Sequence, residues 1–263
     1  MIVILAFLLA KMKLSNTEIQ NLLTDYYSNK MLIKECRAKY KIGKSTVNKI
    51  LKLFGTGGRN RDDYNNNKYS CDESYFDVID SHEKAYWFGF ICADGNIYNQ
   101  KLQIGLHKKD EQHLLKFCAR IGYNGPLHSD KVFKKLIIAR KRIVQGLKNL
   151  GLSENKTFTI DEKMFDQVPD EYKKSAFLGY IDGDGCFYFS RQGVGFSLVG
   201  NFSFLKFTVS FFKERGITIN DPKKDKRTKQ TYYISKWLSQ ENCCKMIEML
   251  YSNGSQDLSL IHI

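Results

Sequence analysis

Two aspartates, Asp94 and Asp184, occupy the same position in a nine-residue pattern that occurs twice in the chain. The copies read WFGFICADG at residues 87–95 and FLGYIDGDG at residues 177–185, so the second follows the first by 90 residues. Each copy predicts a helix that ends at its aspartate, where the helix dipole is negative and a carboxylate is disfavoured. Two such carboxylates brought together suit the binding of hard divalent cations. That arrangement is typical of metal-assisted phosphodiester hydrolysis.

Small residues four apart accompany each aspartate: Gly89 and Ala93 in the first copy, Gly179 and Gly183 in the second. Residues at this spacing share one helix face, so each helix offers a flat face on which another backbone can lie very close. We expect the two faces to pack against each other about a pseudo-two-fold axis. A single Asp-Gly pair would be explained more simply as a helix-ending turn, but the repetition of the whole face favours a site.

The glycines after the aspartates, Gly95 and Gly185, are expected to end the two helices. The surrounding sequence then reads as two repeats, residues 72–151 and 173–251, joined by an extended connector at residues 152–172. Apolar periodicity gives each repeat the order helix, two strands, helix, two strands, helix.

The N-terminal residues 12–55 predict three short helices, at residues 17–27, 31–40 and 44–54. Residues 33–51 resemble a helix-turn-helix, whose second helix enters the DNA major groove. The residues that would contact DNA in this way are Lys44, Ser45, Thr46 and Asn48. Arg37 and Lys41 depart from the motif, where a small residue and a turn glycine are usual. A three-helix packing module without DNA contact is therefore the alternative. Residues 56–71 read as a linker.

The composition restricts the class of partner. The chain of 263 residues carries a formal charge of +13, which favours a polyanion over a neutral ligand, although a generically basic protein is the simpler alternative. Seven scattered cysteines without a CxxC pair indicate a reducing compartment, and we expect a cytoplasmic protein. The apolar residues 1–11 are far shorter than the ~20 that span a membrane, and we expect translation to start naturally at Met12. A short extra helix or strand is the alternative, and residues 252–263 are expected to form an atypical tail without function.

The repeated motifs resemble those of single-chain, two-repeat LAGLIDADG homing endonucleases. The resemblance covers residues 72–251 and rests on residues 87–95 and 177–185, with Phe76 and the pair Ala85-Tyr86 preceding the first motif. Cys92 departs from the signature, which has an acid there. The resemblance implies an α+β fold, in which two pseudo-symmetric αββαββα halves form a DNA-binding saddle behind the small all-α domain. It also implies a bacterial or phage-encoded monomer without protein partners, in which Asp94 and Asp184 hold Mg²⁺, replaceable by Mn²⁺, and cut both strands of double-stranded DNA.

Basic residues at or beside the predicted strand pairs are the candidates for DNA contact. They are His107, Lys108, Lys134, Lys135, Arg140 and Arg142 in the first repeat, and Lys224, Arg227 and Lys229 in the second. By the resemblance, His107 and Lys108 lie near the scissile phosphate, whereas the second repeat has Val199-Gly200-Asn201 in that place, so the two active sites are expected to be unequal. Lys156 is a further candidate.

Two other functions remain open at this point: a DNA-binding regulator of the same fold without cleavage, and an RNA-splicing maturase. Retention of both acids favours the endonuclease over the regulator, and the N-terminal motif favours DNA over RNA.

Overall fold

The computed structural model describes residues 14–55, 69–154, 156, 160–190, 193–224, 232–238, 240–252 and 257–259. The chain divides into two compact units, residues 1–68 and 69–263, each with its own hydrophobic core. Arg227 and Lys229 lie outside the described residues. Within the described part, no helix is both long enough and apolar enough to cross a membrane.

Residues 14–55 of the first unit form three helices, which follow the predicted periodicity closely. They are α1 (Asn16–Tyr27), α2 (Ile33–Tyr40) and α3 (Lys44–Phe54). Ser15 caps α1 through a reciprocal pair of hydrogen bonds: the Glu18 amide donates to its hydroxyl, and its own amide donates to the Glu18 carboxylate at 2.7 Å. The apolar faces of α1 and α3 meet in the core through Ile19, Leu22 and Ile50.

A buried carboxylate, Asp25, ties α1 to α2. It accepts hydrogen bonds from Lys39 Nζ at 2.6 Å, from the Tyr40 hydroxyl at 2.6 Å and from the Asn29 amide at 3.0 Å. These bonds, led by that from Lys39, lower the pKa of Asp25 to about 2. The turn after α2 begins at Lys41, whose φ of 51° lies in the left-handed region where the motif usually has glycine.

The second unit is built from two halves with the same order of elements. The first half comprises α4 (His82–Asp94), β1 (Gly95–Tyr98), β2 (Lys101–His107), α5 (Glu111–Arg120), β3 (His128–Ser129), β4 (Phe133–Ile138) and α6 (Lys141–Asn149). The second half comprises α8 (Asp170–Asp184), β5 (Gly185–Ser190), β6 (Gly193–Gly200), α9 (Phe202–Lys213), β7 (Lys223–Lys224), β8 (Tyr232–Leu238) and α10 (Gln240–Tyr251). Between them lies the short helix α7 (Glu162–Asp166).

Each half forms one antiparallel four-stranded sheet, and the strand orders correspond: β1-β2-β4-β3 in sheet 1 and β5-β6-β8-β7 in sheet 2. The predicted α+β class is confirmed. In β2 the side chains of Leu102, Ile104 and Leu106 are buried and their neighbours are not, as the two-residue period of a strand requires. Helices α5 and α6 pack on sheet 1, and α9 and α10 pack on sheet 2.

The sequence predicts an extended connector between the halves, but the structure has a helix there. The connector contains α7, which buries Met164 and Phe165 in the core, and α8 already begins at Asp170 after Pro169. Met164 and Phe165 are consecutive, and two apolar residues are too short a pattern for hydrophobic periodicity to predict a helix. Burial of their side chains stabilises this short helix.

Both motif helices end at their aspartates, and the glycines after them begin strands. Gly95 and Gly185 have φ of −77° and −91°, so neither forms a left-handed cap. Glycine is needed there for space, because a Cβ would lie 2.6 Å from the Ile91 carbonyl oxygen in one case and 2.5 Å from that of Ile181 in the other.

Residues 257–259 of the predicted tail pack against the second unit. Leu258 and Ser259 are buried, and Lys116 Nζ donates to the Asp257 carbonyl at 2.9 Å. Part of the expected atypical tail therefore contributes to the core of the second unit, and its lack of function stays a prediction.

Candidate active site

Helices α4 and α8 form the most extensive helix contact of the second unit, and glycines make it possible. A Cβ on Gly89 would overlap the Ala176 carbonyl oxygen, and a Cβ on Gly179 would overlap that of Tyr86. The two contacts are reciprocal, since Gly89 and Gly179 are equivalent in the repeat, as are Tyr86 and Ala176. A third close contact joins Gly183 to Ala93. The four small residues of the motifs thus lie in one interface, with backbone against backbone.

This interface brings the end of one motif helix to the end of the other. A Cβ built on Gly183 would lie 3.3 Å from Asp94 Oδ2. The Asp94 carboxylate therefore lies against the residue that precedes Asp184. Asp94 is half-buried, whereas Asp184 reaches solvent.

The surroundings raise the pKa of both acids. Burial, followed by the charge of Asp184, raises the pKa of Asp94 to about 6. Partial desolvation by the surrounding protein also raises the pKa of Asp184, although its side chain reaches solvent. The protein alone disfavours the ionised form of these two carboxyl groups, and a bound cation would stabilise that form.

Lys156 lies at the end of α4, near enough to both acids for its charge to act on them. Its ammonium group donates hydrogen bonds to the carbonyls of Cys92, at 2.7 Å, and of Ala93. A cation at the end of a helix is favourable because it meets the negative end of the dipole. The Lys156 charge also opposes the rise in pKa of both Asp94 and Asp184. The sequence alone gave no reason to place this lysine at the helix end.

Among the residues that the structure describes, a phenol hydroxyl accompanies Asp184 but not Asp94. Tyr180 is one helical turn before Asp184 and its hydroxyl lowers the pKa of that carboxyl. The same hydroxyl donates to the Val199 carbonyl at 3.4 Å. The equivalent residue before Asp94 is Phe90, which has no hydroxyl.

The position two residues before each acid also differs between the halves. Asp182 is buried and accepts a hydrogen bond from the Tyr86 hydroxyl at 2.7 Å and one from Ser259 at 3.1 Å. Tyr86 contacts His113 Nε2 at 3.1 Å, and burial lowers the pKa of His113 to about 3, so this imidazole is neutral. In the first half, burial raises the pKa of the Cys92 thiol to about 12, so Cys92 is also neutral and not a thiolate ligand.

The solvent side of sheet 1, which we call outer face 1, carries mainly polar side chains. It comprises Asn96, Tyr98, Lys101, Gln103, Gly105, His107, Phe133, Lys135 and Ile137. His107 Nδ1 accepts a hydrogen bond from the Lys109 amide at 3.2 Å, and Lys108 is exposed beside it. The structure thus places His107 and Lys135 on one exposed surface, with Lys108 at its edge.

Two predicted DNA contacts of the first half are contradicted by the structure. Lys134 alternates with the buried Leu136 and therefore lies on the core side of β4, where it pairs with Glu111 at 2.7 Å. Arg140 is only 4% exposed, and its guanidinium donates to the Tyr69 carbonyl and pairs with Glu73 at 3.4 Å. The Arg140 head group is thus buried away from a phosphate, and that of Lys134 is paired within the protein.

Arg142 remains at the surface, where Nε donates to Asp77 at 2.9 Å. In the second half, Lys224 is exposed on β7. In the first unit, Lys44, Ser45, Thr46 and Asn48 form the first turns of α3, with Lys44, Ser45 and Asn48 exposed and Thr46 half-buried.

The second half offers no counterpart to His107 at the end of its second strand. The residue in that register is Asn201, whose side chain caps α9 by accepting from the Phe204 amide at 2.9 Å and donates to the Ile160 carbonyl. The Asn201 side chain is therefore hydrogen-bonded within the protein, whereas the His107 side chain is exposed.

Sequence comparison finds no match: neither a protein-family model nor a curated protein matches the chain. The solved structures that are similar in shape include three that differ in their partners or roles. They are the meganuclease I-SmaMI bound to uncleaveable DNA (14% identity, TM-score 0.46, 64% of this chain and 83% of that one), the LAGLIDADG homing endonuclease I-GzeII in complex with its DNA target (11%, 0.45, 64% and 83%), and the N-terminal LAGLIDADG domain of DUF199/WhiA (15%, 0.41, 68% and 89%). These similarities are remote, and we therefore take the function from the side chains of this chain alone.

Proposed function

We propose that the protein is a site-specific endonuclease that hydrolyses both strands of double-stranded DNA, with Asp94 and Asp184 as ligands of divalent cations. The observation that carries the proposal is the meeting of two carboxylates at the ends of two helices that pack backbone to backbone. A structural role would place neutral or basic residues at those ends, because each helix dipole is negative there.

The donor set fits Mg²⁺. Among the described residues there is no group of three or more histidine, cysteine or acidic side chains that could hold a metal. Mg²⁺ commonly takes one or two carboxylates and completes its shell with water and substrate phosphates, so the two aspartates suffice once DNA is present. Mn²⁺ accepts the same oxygen ligands and is expected to substitute. When bound, such a cation supplies activation of water and stabilisation of charge at the phosphate.

The chain's own residues have two further tasks, which are to hold the DNA and to keep the acids ionised. On outer face 1, Lys135 and His107 are available to base edges and phosphates, and Lys108 lies beside them. Arg142 and Lys224 are exposed candidates for phosphate contacts, and we retain Arg227 and Lys229 as expectations from the sequence. Lys156 keeps the pKa of both acids lower than burial alone would set it.

The first unit is proposed to bind DNA as a helix-turn-helix. The start of α3 presents Lys44, Ser45 and Asn48 to solvent, as major-groove insertion requires, with Thr46 beside them. The chain's charge of +13 supports a nucleic-acid partner, and a single chain already contains both acids, so a second copy is not needed.

A second candidate is a DNA-binding regulator that does not cleave. The position of Lys156 favours it, because an ammonium group beside both carboxylates competes with a cation for their charge.

One experiment separates these candidates. Random-sequence duplex DNA is incubated with the protein and Mg²⁺, and the cut ends are sequenced. We expect defined double-strand breaks, and we expect Asp94→Asn to slow cutting about 100-fold or more while DNA affinity is kept. The matched control is Asp110→Asn, which removes a carboxylate whose charge also reaches Asp94 and should leave cutting intact. Binding without cleavage by the wild-type protein in Mg²⁺ and Mn²⁺ would favour the regulator, and equal cutting by Asp94→Asn would refute the metal site.

A further inference from the structure

Three residues of outer face 1 form one row across three strands. Asn96 on β1 pairs with Gln103 on β2, and Gln103 pairs with Ile137 on β4. Asn96 is exposed, and Gln103 and Ile137 are half-buried. The row therefore presents two amides and one aliphatic side chain to the same side of the sheet.

Several amide side chains of the protein are hydrogen-bonded internally, but those of Asn96 and Gln103 are not, within the described part of the chain. Asn29 donates to Asp25, Gln145 donates to Asn149, and Asn201 caps a helix. Neither Asn96 nor Gln103 makes a side-chain hydrogen bond to any residue that the structure describes. The donors and acceptors of this row are thus available to a ligand.

The chemistry of the row matches one kind of base pair. An amide offers one acceptor and one donor in a plane, and adenine offers the complementary N7 acceptor and N6 donor in the major groove. Thymine presents a methyl group there, which is recognised by apolar contact. Two neighbouring amides with an aliphatic group beside them therefore suit A·T pairs.

The following inference rests on the proposed function. We propose that Asn96 and Gln103 recognise adenine and that Ile137 contacts a thymine methyl group. This row then selects A·T base pairs in the half of the DNA site under sheet 1.

The next row along the strands predicts a preference for a second base and the position of that base in the DNA site. Lys135 pairs with Gly105, and its Cγ lies 3.4 Å from the position of a Cβ on Gly105, so its aliphatic stem crosses the glycine. Lysine in the major groove recognises guanine. Rows two residues apart are separated by about 6.7 Å, which is about two base pairs at 3.4 Å each. Since Gly95 pairs with Ile104 and Gly105 follows, the Lys135 row is nearer to Asp94. We expect a guanine preference about two base pairs from the A·T preference, on the side of the cut.

The corresponding row of sheet 2 has short side chains. Cys186 pairs with Ser197, and the next row has the Tyr188 ring over Gly195. Neither Cys186 nor Ser197 has the separate donor and acceptor groups of an amide side chain. We therefore expect weaker base discrimination in the half-site under sheet 2.

The test is selection of bound sequences from random duplex DNA in the absence of divalent cations, followed by sequencing. The variant Gln103→Glu replaces the amide by an acceptor-only carboxylate, which suits the cytosine N4 donor. We expect one position to change from adenine to cytosine, with a loss of about tenfold in affinity for adenine-bearing sites. Gln103→Ala should make the same position indifferent to base, which keeps the test valid if the carboxylate disturbs folding. Ser197→Ala is the matched control in sheet 2 and should leave that position unchanged.

Two failures can be told apart. If the wild-type protein selects no sequence, the proposed function fails, and this inference with it. If it selects a sequence that both Gln103 variants leave unchanged, the amide row is not a reader, and only this inference is overturned.

Discussion

The two halves of the second unit share a helix interface but differ in what surrounds their acids. At the interface, Gly89 and Gly179 make reciprocal contacts with the opposite backbone. At the acids, Asp94 has a phenylalanine one turn before it, whereas Asp184 has Tyr180. The difference teaches that packing fixes the small residues of both helices at once, while the residue one turn before each acid can differ between the halves.

The outer surfaces of the two sheets extend this contrast. Outer face 1 carries amides, a histidine and lysines, whereas the matching rows of β5 and β6 carry a cysteine, a serine and a tyrosine over glycine. The strand order is the same in both sheets. The backbone frame is thus duplicated, and the chemistry it presents is not.

The largest effect should come from filling the shared interface. Gly89→Ala and Gly179→Ala each place a methyl group onto a carbonyl oxygen of the opposite helix, and we expect each to lower the free energy of unfolding by about 3 kcal/mol. The two losses should be similar, because the contacts are reciprocal. Urea unfolding followed by fluorescence of the buried Trp87 measures them. Gly105→Ala, where the nearest atom is 3.4 Å away, is the control and should cost much less. A mild effect of Gly179→Ala alone would show that the interface is not symmetric.

An intermediate effect is expected from Lys156→Met. Cation binding requires ionised carboxylates, so cutting by the wild-type protein should rise as the pH passes through about 6, the pKa of Asp94. Removal of Lys156 raises the pKa of both acids, so the midpoint of the profile should move upward. For a rise of one pKa unit we expect a loss of about fivefold at pH 6, because the ionised fraction of Asp94 falls from about one half to about one tenth, with recovery above pH 8. Lys163→Met, on an exposed lysine of the same connecting segment, should leave the profile in place. A loss that is equal at all pH values would assign Lys156 a purely structural role.

The same pKa shift has a consequence for the stability of the metal-free protein. The folded-state pKa of Asp94 lies above its ordinary value of 3.8, so the folded state favours the protonated form. This contribution to stability is full below pH 3.8 and is lost as the pH rises through about 6.

The smallest effect should come from Tyr180→Phe, which removes the hydroxyl found beside only one acid. The pKa of Asp184 should rise, and the strand cut at Asp184 should be nicked about threefold more slowly, as expected for the loss of one hydrogen bond. Duplexes labelled on either strand report the two rates separately. Tyr123→Phe is the matched control, because the Tyr123 hydroxyl also donates to a strand carbonyl, that of Ile137, at 3.4 Å. This variant should change neither rate. Equal slowing of both strands by Tyr180→Phe would remove the asymmetry between the acids.

Local periodicity was sufficient for much of this fold. Helix α3 runs from Lys44 to Phe54 as its apolar spacing predicts, and the Asp-Gly pairs mark the ends of α4 and α8. These features depend on residues within one or two turns of one another, which is the range over which helix signals act. The side of the sheet on which Lys134 lies was also readable, since strict alternation with Leu136 and Ile138 puts it toward the core.

Features that depend on distant residues could not be predicted in this way. Arg140 is buried because Tyr69 and Glu73, some 70 residues earlier, come to its guanidinium. Lys156 reaches the end of α4 only because the connector folds back over it. The Tyr86–Asp182 bond joins residues 96 positions apart. No local pattern encodes these pairings, since each is set by how the two halves pack.

The contact of Gly183 with Ala93 limits how this architecture could be rearranged. A Cβ on Gly183 would overlap the Cβ of Ala93, so the space between the helix ends holds one methyl group but not two. A chain assembled from two copies of the first half would place an alanine on both sides and force the helices apart, together with the acids that follow them. Two copies of the second half would bring glycine against glycine and meet no such obstacle. The halves are therefore not interchangeable parts, and a symmetric protein made from this scaffold would have to start from the second half.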